Sequence, residues 1–194
     1  MAANREYALP LNNPDVVSAA NAGHMKPDDL VVGVTIHGHS RAYPWWILSN
    51  FHIVNGTIDK GKGSPLPVLA SLCEQCSGSA AFIPTLVELP DRPLTFQISG
   101  VDSGTFEIAD FQTHSRWHPF SGEAHDGPLK GTQLLQIASV IERWDNWSEW
   151  HPDTDVLFGS SSLRARPHGL SHGAQIGHSF VHKVFWAKAN QTDD

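Results

Sequence analysis

Residues 30–43 read Leu30-Val31-Val32-Gly33-Val34-Thr35-Ile36, then His37-Gly38-His39, then Ser40-Arg41-Ala42-Tyr43. The first seven residues are apolar and rich in β-branched side chains, which is typical of a β-strand. The glycine at the middle of the next three favours a turn, and the last four predict the returning strand. We therefore expect a β-hairpin over residues 30–43.

The rest of the chain continues this pattern of short apolar runs separated by turn residues. The composition of these runs predicts strands over residues 68–72, 80–83, 94–98, 104–110, 134–141 and 156–158. A short helical or turn segment is expected at 45–48, with a short strand or the end of that segment at 51–55, and a short helix at 145–150. The expected fold class is therefore mainly β with few short helices, arranged as a single compact barrel or sandwich-like domain.

The organisation of the chain indicates one domain. Residues 1–29 are rich in Pro, Asn and Asp and predict an extended N-terminal arm. Residues 30–194 contain no internal repeat and no Gly/Ser linker, so we expect one β-rich, metal-binding domain there. A chain of 194 residues is long enough to bury a core without disulfide bonds.

The charge balance argues against several classes of partner. The chain has 13 Lys+Arg and 20 Asp+Glu, a formal net charge of -7, so there is no basic field to attract nucleic acid or an anionic membrane surface. No apolar run is long enough for a transmembrane helix, and residues 1–15 carry no apolar stretch like that of a signal peptide. We expect a cytoplasmic protein with a small-molecule substrate; the oligomeric state stays open.

The strongest chemical signal is the pair formed by Cys73 and Cys76, which are the two cysteines of the chain. An apolar strand that runs into Cys-x-x-Cys and then into small residues predicts a tight turn that directs both thiolates at one metal ion. Two sulfurs are too few for a closed zinc site, so His or carboxylate must complete the shell. Since there is no second pair, a four-cysteine zinc or iron–sulfur site is excluded. A thioredoxin-like redox pair and two inert buried thiols remain alternatives.

Several motifs occur together in order between residues 13 and 158, and in combination the chain resembles the uncharacterised-domain family numbered 3179, a domain of unknown function. The matching stretches are Asn13-Pro14 with Ser18-Ala19, Val32-Gly33-Val34 through Ser40-Arg41-Ala42-Tyr43-Pro44, His52-Ile53-Val54-Asn55, Cys73-Glu74-Gln75-Cys76-Ser77-Gly78-Ser79-Ala80, Trp117-His118 through Gly122-Glu123-Ala124, and Trp147 and Trp150 with His151-Pro152-Asp153-Thr154.

The resemblance implies a mainly β domain in which His52 is brought to the cysteine pair. His118 lies beside Trp117 in another matched stretch, where the family usually has a polar amide. We therefore predict that Cys73, Cys76, His52 and His118 bind one transition-metal ion, and this donor set suits copper, iron or zinc. Two further His pairs, 168 with 172 and 178 with 182, have ligand-compatible spacing, although glycines argue against a regular helix at the first pair.

Two charged residues are candidates for catalysis. Glu123 is close in sequence to His118 and is a candidate general acid or base, or it simply bonds a backbone turn. Arg41 is a candidate for holding an anionic substrate group, and the alternative is an internal salt bridge with an Asp such as Asp110. The chain has no Gly-x-Ser-x-Gly element and no phosphate-binding glycine loop.

These observations favour a metal-dependent enzyme, an oxidoreductase that uses copper or iron to act on a small molecule. The reason is that two thiolates and at least one imidazole would leave an open coordination position on the metal for a small molecule. One alternative is a zinc-dependent hydrolase or lyase with an activated water. The other is a non-enzymatic metal carrier or metal-stapled interaction domain, which would need a closed shell of four ligands.

Overall fold

The computed structural model describes residues 8–59, 65–74, 78–87, 92–102 and 105–159. The described part of the chain is mainly β, as the sequence predicts. In chain order its elements are β1 (Leu11–Asn12), β2 (Val16–Ser18), a 3-10 helix (Ala19–Asn21), β3 (Leu30–Ile36), β4 (His39–Pro44), α1 (Trp45–Phe51), β5 (Ile53–Ile58), β6 (Leu66–Cys73), β7 (Gly78–Ile83), β8 (Phe96–Asp102), β9 (Thr105–Asp110), β10 (Arg116–Trp117), β11 (Ala124–Asp126), β12 (Leu135–Ile137), β13 (Ser139–Arg143), α2 (Trp144–Trp150) and β14 (Asp155–Leu157).

The strands form three sheets. Sheet I has the order β1-β5-β6-β7-β12, sheet II has β11-β10-β9-β8, and sheet III has β13-β3-β4-β14-β2. The β1–β5 and β4–β14 pairs are parallel and the other pairs are antiparallel. Each sheet is open at both edges, so the strands in the described ranges close no barrel.

Sheet I is buried on both faces because its strands present apolar side chains to either side. Val54, Ala70 and Leu72 pack in one cluster with Val32 and other residues of sheet III and α1. On the opposite face, one apolar cluster joins sheet I to sheet II; it contains Ile53, Leu69, Cys73, Phe82, Phe96, Phe106, Ile108 and Trp117. Sheet I therefore packs against both other sheets, which explains why β6 is apolar along almost its whole length.

The predicted hairpin over residues 30–43 is confirmed. β3 pairs with β4 in the register Val34↔Arg41 and Ile36↔His39, and the connecting residues His37 and Gly38 have φ of 50° and 80°. Two successive positive φ angles match the right-handed twist of the strands in a two-residue hairpin. The glycine in the second position fits this left-handed backbone without steric cost.

The predicted single strand over residues 134–141 is wrong. Leu135–Ile137 pairs with β7 in sheet I, whereas Ser139–Arg143 pairs with β3 in sheet III. The segment crosses between sheets at residue 138, and an apolar pattern cannot show such a change of partner. The segment predicted as an N-terminal arm contributes β1 to the edge of sheet I and β2 to the edge of sheet III.

The two α-helices are short and each has a clear packing role. α2 buries Trp144 and Trp147, and the indole of Trp147 lies against Gly33 of β3, where no side chain occupies the space. α1 packs Ile47 and Leu48 into the cluster shared with sheet III. Each α-helix has seven residues, so no helix within the described ranges is long enough to cross a membrane.

Candidate functional site

His52 ends α1 in a left-handed backbone conformation, with φ 59° and ψ −28°. Its N–H donates to the Leu48 carbonyl at 2.6 Å and closes the last turn of the helix. This position is usually taken by glycine, because a side chain makes the left-handed conformation unfavourable. A histidine held there is a local strain of the kind that often marks a functional position.

The pairing of β5 with β6 brings His52 next to Leu72, the residue before Cys73. Ile53 is paired with Ser71, so His52 lies opposite Leu72, the residue before Cys73. The Leu72 N–H donates to the His52 carbonyl at 3.0 Å, and Nδ1 of His52 lies 3.3 Å from the Leu72 carbonyl oxygen. The two predicted ligands therefore sit at the same end of sheet I.

Cys73 is the last residue of β6 and is buried, with 5% of its surface exposed. It belongs to the apolar cluster between sheets I and II that also contains Phe106. The ring of His52 lies 5.9 Å from the ring of Phe106, measured between centroids. Cys73 and His52 thus adjoin the same side of sheet I, facing sheet II.

Cys76 falls in the connection between β6 and β7 and lies outside the described residues, as do the His pairs at 168 and 172 and at 178 and 182. Across the described ranges, no group of three or more His, Cys, Asp or Glu is arranged to hold a metal ion.

The imidazole of His118 packs elsewhere. It stacks on His125 with ring centroids 4.5 Å apart, and Nε2 of His125 lies 3.0 Å from a carboxylate oxygen of Glu107. On β9 the side chains of Phe106 and Glu107 point to opposite faces of sheet II, and Phe106 is the one that contacts His52. The structure therefore brings His118 to His125 on the outer face of sheet II and not to His52.

Glu123 is exposed and its described hydrogen bonds are made by its backbone. Its N–H donates to Oγ of Ser121 at 3.3 Å, and its carbonyl accepts from the His118 N–H at 2.9 Å. It also forms an isolated β-bridge with Gln133. These bonds place Glu123 in the turn that precedes β11, which agrees with a structural role at this position.

Arg41 is buried within an internal ion pair. Its Nε donates to Oδ1 of Asp155 at 2.6 Å and a terminal nitrogen donates to Oδ2 at 2.7 Å, while the other terminal nitrogen donates to the Thr57 carbonyl. Burial acts to lower the pKa of Arg41, but the hydrogen bonds and charge of Asp155 and the neighbouring Tyr43 raise the pKa further, to a net value above the usual one. The guanidinium joins β4 to β14 and β5 and is committed to partners inside the protein.

Asp110, named above as a possible partner of Arg41, has other bonds. Its carboxylate accepts from the indole N–H of Trp117 at 2.9 Å and from the hydroxyl of Thr113 at 2.9 Å. This arrangement holds the fully buried Trp117 in the core of sheet II. The internal salt bridge expected as the alternative for Arg41 is therefore present, but with Asp155.

A second group of polar residues was not apparent from sequence. Oγ of Ser40 lies 3.1 Å from Nδ1 of His151, although the two residues are 111 positions apart. They line a surface cavity of about 200 Å³. Another cavity, of about 310 Å³, is lined by Phe51 and Phe158 among others, and neither cavity is lined by His52 or Cys73. The Ser40–His151 pair has no local sequence motif, because the packing of α2 against sheet III and the pairing of β14 with β4 bring the two residues together.

The fold and these positions define a mainly β protein of three open sheets, with a histidine and a cysteine adjacent at the end of its β5–β6 pair. The chain belongs to the DUF3179 family, described as proteins of unknown function, whose pattern matches residues 9–171. This confirms the resemblance found in the sequence motifs. No curated protein and no solved structure matches the chain.

Proposed function

We propose that this protein is a metal-dependent oxidoreductase that acts on a small molecule, with one transition-metal ion bound by Cys73, Cys76 and His52. The observation that carries the proposal is that His52, at the end of α1, lies opposite Leu72, one residue before Cys73, and that the His52 ring and Cys73 both adjoin the cluster that contains Phe106. Thiolate and imidazole donors suit copper, iron and zinc, and redox chemistry requires one of the first two.

Chain connectivity supports Cys76 as the third donor. Gly78 is paired with Cys73 across the β6–β7 hairpin, and Cys76 precedes Gly78 by two residues. Cys76 itself lies outside the described residues, and the Cys-x-x-Cys spacing in the sequence is what assigns it to the same ion as Cys73. Two thiolates and one imidazole would leave a coordination position for substrate.

The conformation of His52 supports a role beyond packing. A left-handed backbone costs a non-glycine residue about 1 kcal/mol or more, and glycine or asparagine would end α1 more favourably. A metal-ligand role accounts for a histidine at this position. We propose three protein ligands without His118, because its imidazole stacks on His125 on the outer face of sheet II.

The layered sheets and the negative net charge support the domain type and the partners that we propose. We propose a sandwich-like domain in which sheet I is covered by sheets II and III, acting in the cytoplasm on a small-molecule substrate. The formal net charge of -7 supports a protein that binds neither nucleic acid nor an anionic membrane surface.

A second candidate is a metal-stapled domain without catalysis. It is favoured by the burial of Cys73, which is 5% exposed and packed among apolar side chains between two sheets. A metal at this place would join the β6–β7 hairpin to the start of β5, and its binding energy would contribute directly to folding.

Metal content of the purified protein tests the proposal. We expect about one equivalent of copper or iron in the wild type and less than about a tenth in each of His52→Asn, Cys73→Ser and Cys76→Ser, since each change removes one donor. His118→Asn is the matched control and should keep the full equivalent. Asparagine tolerates the left-handed conformation, so His52→Asn should remain folded by circular dichroism.

The outcomes separate the candidates. Wild-type protein that carries no metal and takes none up would overturn the metal site, as would equal loss from His118→Asn. Stoichiometric zinc in a colourless, redox-silent protein that unfolds on chelation would support the stapled domain in place of the oxidoreductase. A visible absorption band that bleaches reversibly on reduction would support the oxidoreductase.

A further inference from the structure

A polar cavity of about 200 Å³ lies on sheet III, between the tip of the β3–β4 hairpin and the end of α2. Its lining includes His39, Ser40, Trp150, His151 and Asp153. The cavity is lined by residues of other elements than those that hold His52 and Cys73. It therefore needs an explanation separate from the proposed metal site.

A hydrogen-bonded serine and histidine line this cavity. Oγ of Ser40 lies 3.1 Å from Nδ1 of His151, and the hydroxyl of Thr35 lies 2.8 Å from the same Oγ. When Thr35 donates to Ser40, the single hydroxyl proton of Ser40 is available to donate to Nδ1 of His151. A hydroxyl within hydrogen-bond reach of an imidazole nitrogen is the basic requirement for an activated serine nucleophile.

The imidazole of His151 is held in place from several sides. Its ring packs on the indole of Trp147 with centroids 3.9 Å apart. Its backbone N–H donates to the Trp147 carbonyl, and its carbonyl accepts from the Thr154 N–H, both at 2.9 Å. Burial lowers the pKa of His151 below its usual 6.5, so the ring is neutral near pH 7 and its unprotonated nitrogen can accept a proton.

The cavity also offers an apolar surface for a substrate. Trp150 is 67% exposed, which is unusual for a residue of this size, and its indole is available to pack against a ring or an alkyl group. The carboxylate of Asp153 lines the same cavity and the chain carries a formal net charge of -7, so an anionic substrate would be repelled. The site is thus suited to a small molecule that carries no negative charge.

We propose that Ser40 and His151 form a nucleophile–base pair that hydrolyses small uncharged carboxylic esters. Oγ of Ser40 forms a bond to the ester carbonyl carbon while its proton passes to Nδ1 of His151. The bond from the carbonyl carbon to the alcohol oxygen then breaks, and the alcohol leaves with the proton from His151. Water attacks the acyl-serine, with its proton passing through the same nitrogen, and releases the acid and free Ser40.

The experiment uses the full-length chain, a fluorophosphonate probe and p-nitrophenyl acetate. We expect the probe to label wild-type protein once, at the peptide that contains Ser40. Ser40→Ala should abolish labelling, and His151→Asn should slow both labelling and ester hydrolysis by about 100-fold because the general base is lost. Ser18→Ala is the matched control, an exposed serine on β2 of the same sheet, and should react like the wild type.

Peptide mapping on the wild type does not depend on the folding of any variant. Labelling at another residue, labelling of Ser40→Ala at the wild-type rate, or no labelling of the wild type at excess probe would each overturn the proposal. Labelling that persists after chelation of metal would show that this activity and the proposed oxidoreductase are independent.

Discussion

The side-chain amide of Asn55 binds both backbone polar groups of Phe96. Its oxygen accepts from the Phe96 N–H at 2.9 Å, and its nitrogen donates to the Phe96 carbonyl at 2.9 Å and to the side chain of Asn12 at 2.8 Å. Asn55 is on β5 of sheet I and Phe96 is on β8 of sheet II, so one buried side chain takes the place of a neighbouring strand. The bond fixes sheet II against the face of sheet I that carries Cys73.

Asn55→Ala is expected to lower the free energy of unfolding by about 3 kcal/mol, because the N–H and carbonyl of Phe96 lose their partner inside the core. Urea denaturation followed by tryptophan fluorescence measures the change. Asn21→Ala is the control, since the Asn21 side chain is exposed and bonds only Ser18. A loss no larger than that of the control would contradict the role assigned to Asn55.

The Arg41–Asp155 pair leads to a second prediction. Asp155→Ala leaves the buried guanidinium without its counter-charge. We expect the free energy of unfolding to fall by about 3 kcal/mol. This is the lower end of the range for breaking a buried ion pair, because Asp155 is 31% exposed. The exposed pair Arg143–Asp145 is the comparison, and Asp145→Ala should have little effect. Equal effects of the two substitutions in urea denaturation would argue against the buried pair as a structural element.

The titration of Tyr43 gives a pH-dependent prediction. Its hydroxyl is fully buried near the Arg41 guanidinium, and burial raises the pKa of Tyr43 from 10.0 to about 12, against the opposing charge and hydrogen bonding of Arg41. Because the folded state retains the proton more tightly, the associated stability is fully present below pH 10 and is lost as the pH rises towards 12.

Relative to Tyr43→Phe, wild-type protein should therefore lose about 2 kcal/mol between pH 10 and pH 12. Denaturant unfolding of both proteins at several pH values measures the difference, and comparison with the variant cancels the titration of other groups. A constant difference across this range would show that the Tyr43 phenol titrates normally in the folded protein.

Gly33 provides a steric prediction. A methyl group at this position would collide with the indole ring of Trp147, and the ring is packed between β3 and the turn that holds His151. We expect Gly33→Ala to lower the free energy of unfolding by about 2–3 kcal/mol. Gly23→Ala is the control because nothing lies within 4 Å of the added methyl. Equal melting temperatures of the two variants in thermal denaturation would refute the prediction.

Short-range features of the fold were predictable from sequence. The hairpin of β3 and β4 was foreseen because its strand composition and its His-Gly turn are both local properties. The helix before His151 was foreseen within one residue, and β6 was foreseen because a run of apolar residues predicts a buried strand. The sequence predicts one strand over residues 134–141, whereas the structure has two, β12 and β13. The change from one sheet to the other depends on their different partner strands, which the local sequence does not show.

The candidate sites depended more strongly on long-range packing. The sequence motif joined His118 to the predicted ligand set because it is adjacent to Trp117, but alternation along β10 buries Trp117 and directs the next residue outward. The local sequence around Arg41 does not distinguish an arginine that binds an anionic substrate from one that forms an internal salt bridge. The ion pair of Arg41 with Asp155, 114 residues away in sequence, depends on the parallel pairing of β4 with β14.

Local patterns in the sequence are enough to establish that this chain is mainly β, that it belongs to the DUF3179 family, and that Cys73 ends a buried strand. These properties are encoded by neighbouring residues, through strand propensity, turn chemistry and the spacing of motif residues along one backbone. The packing of the sheets, in contrast, places the His118 imidazole on His125 and brings Ser40 to His151, and neither contact is evident from the sequence. Such contacts arise when sheets pack face to face, and the free energy of that packing depends on the whole core rather than on any local segment.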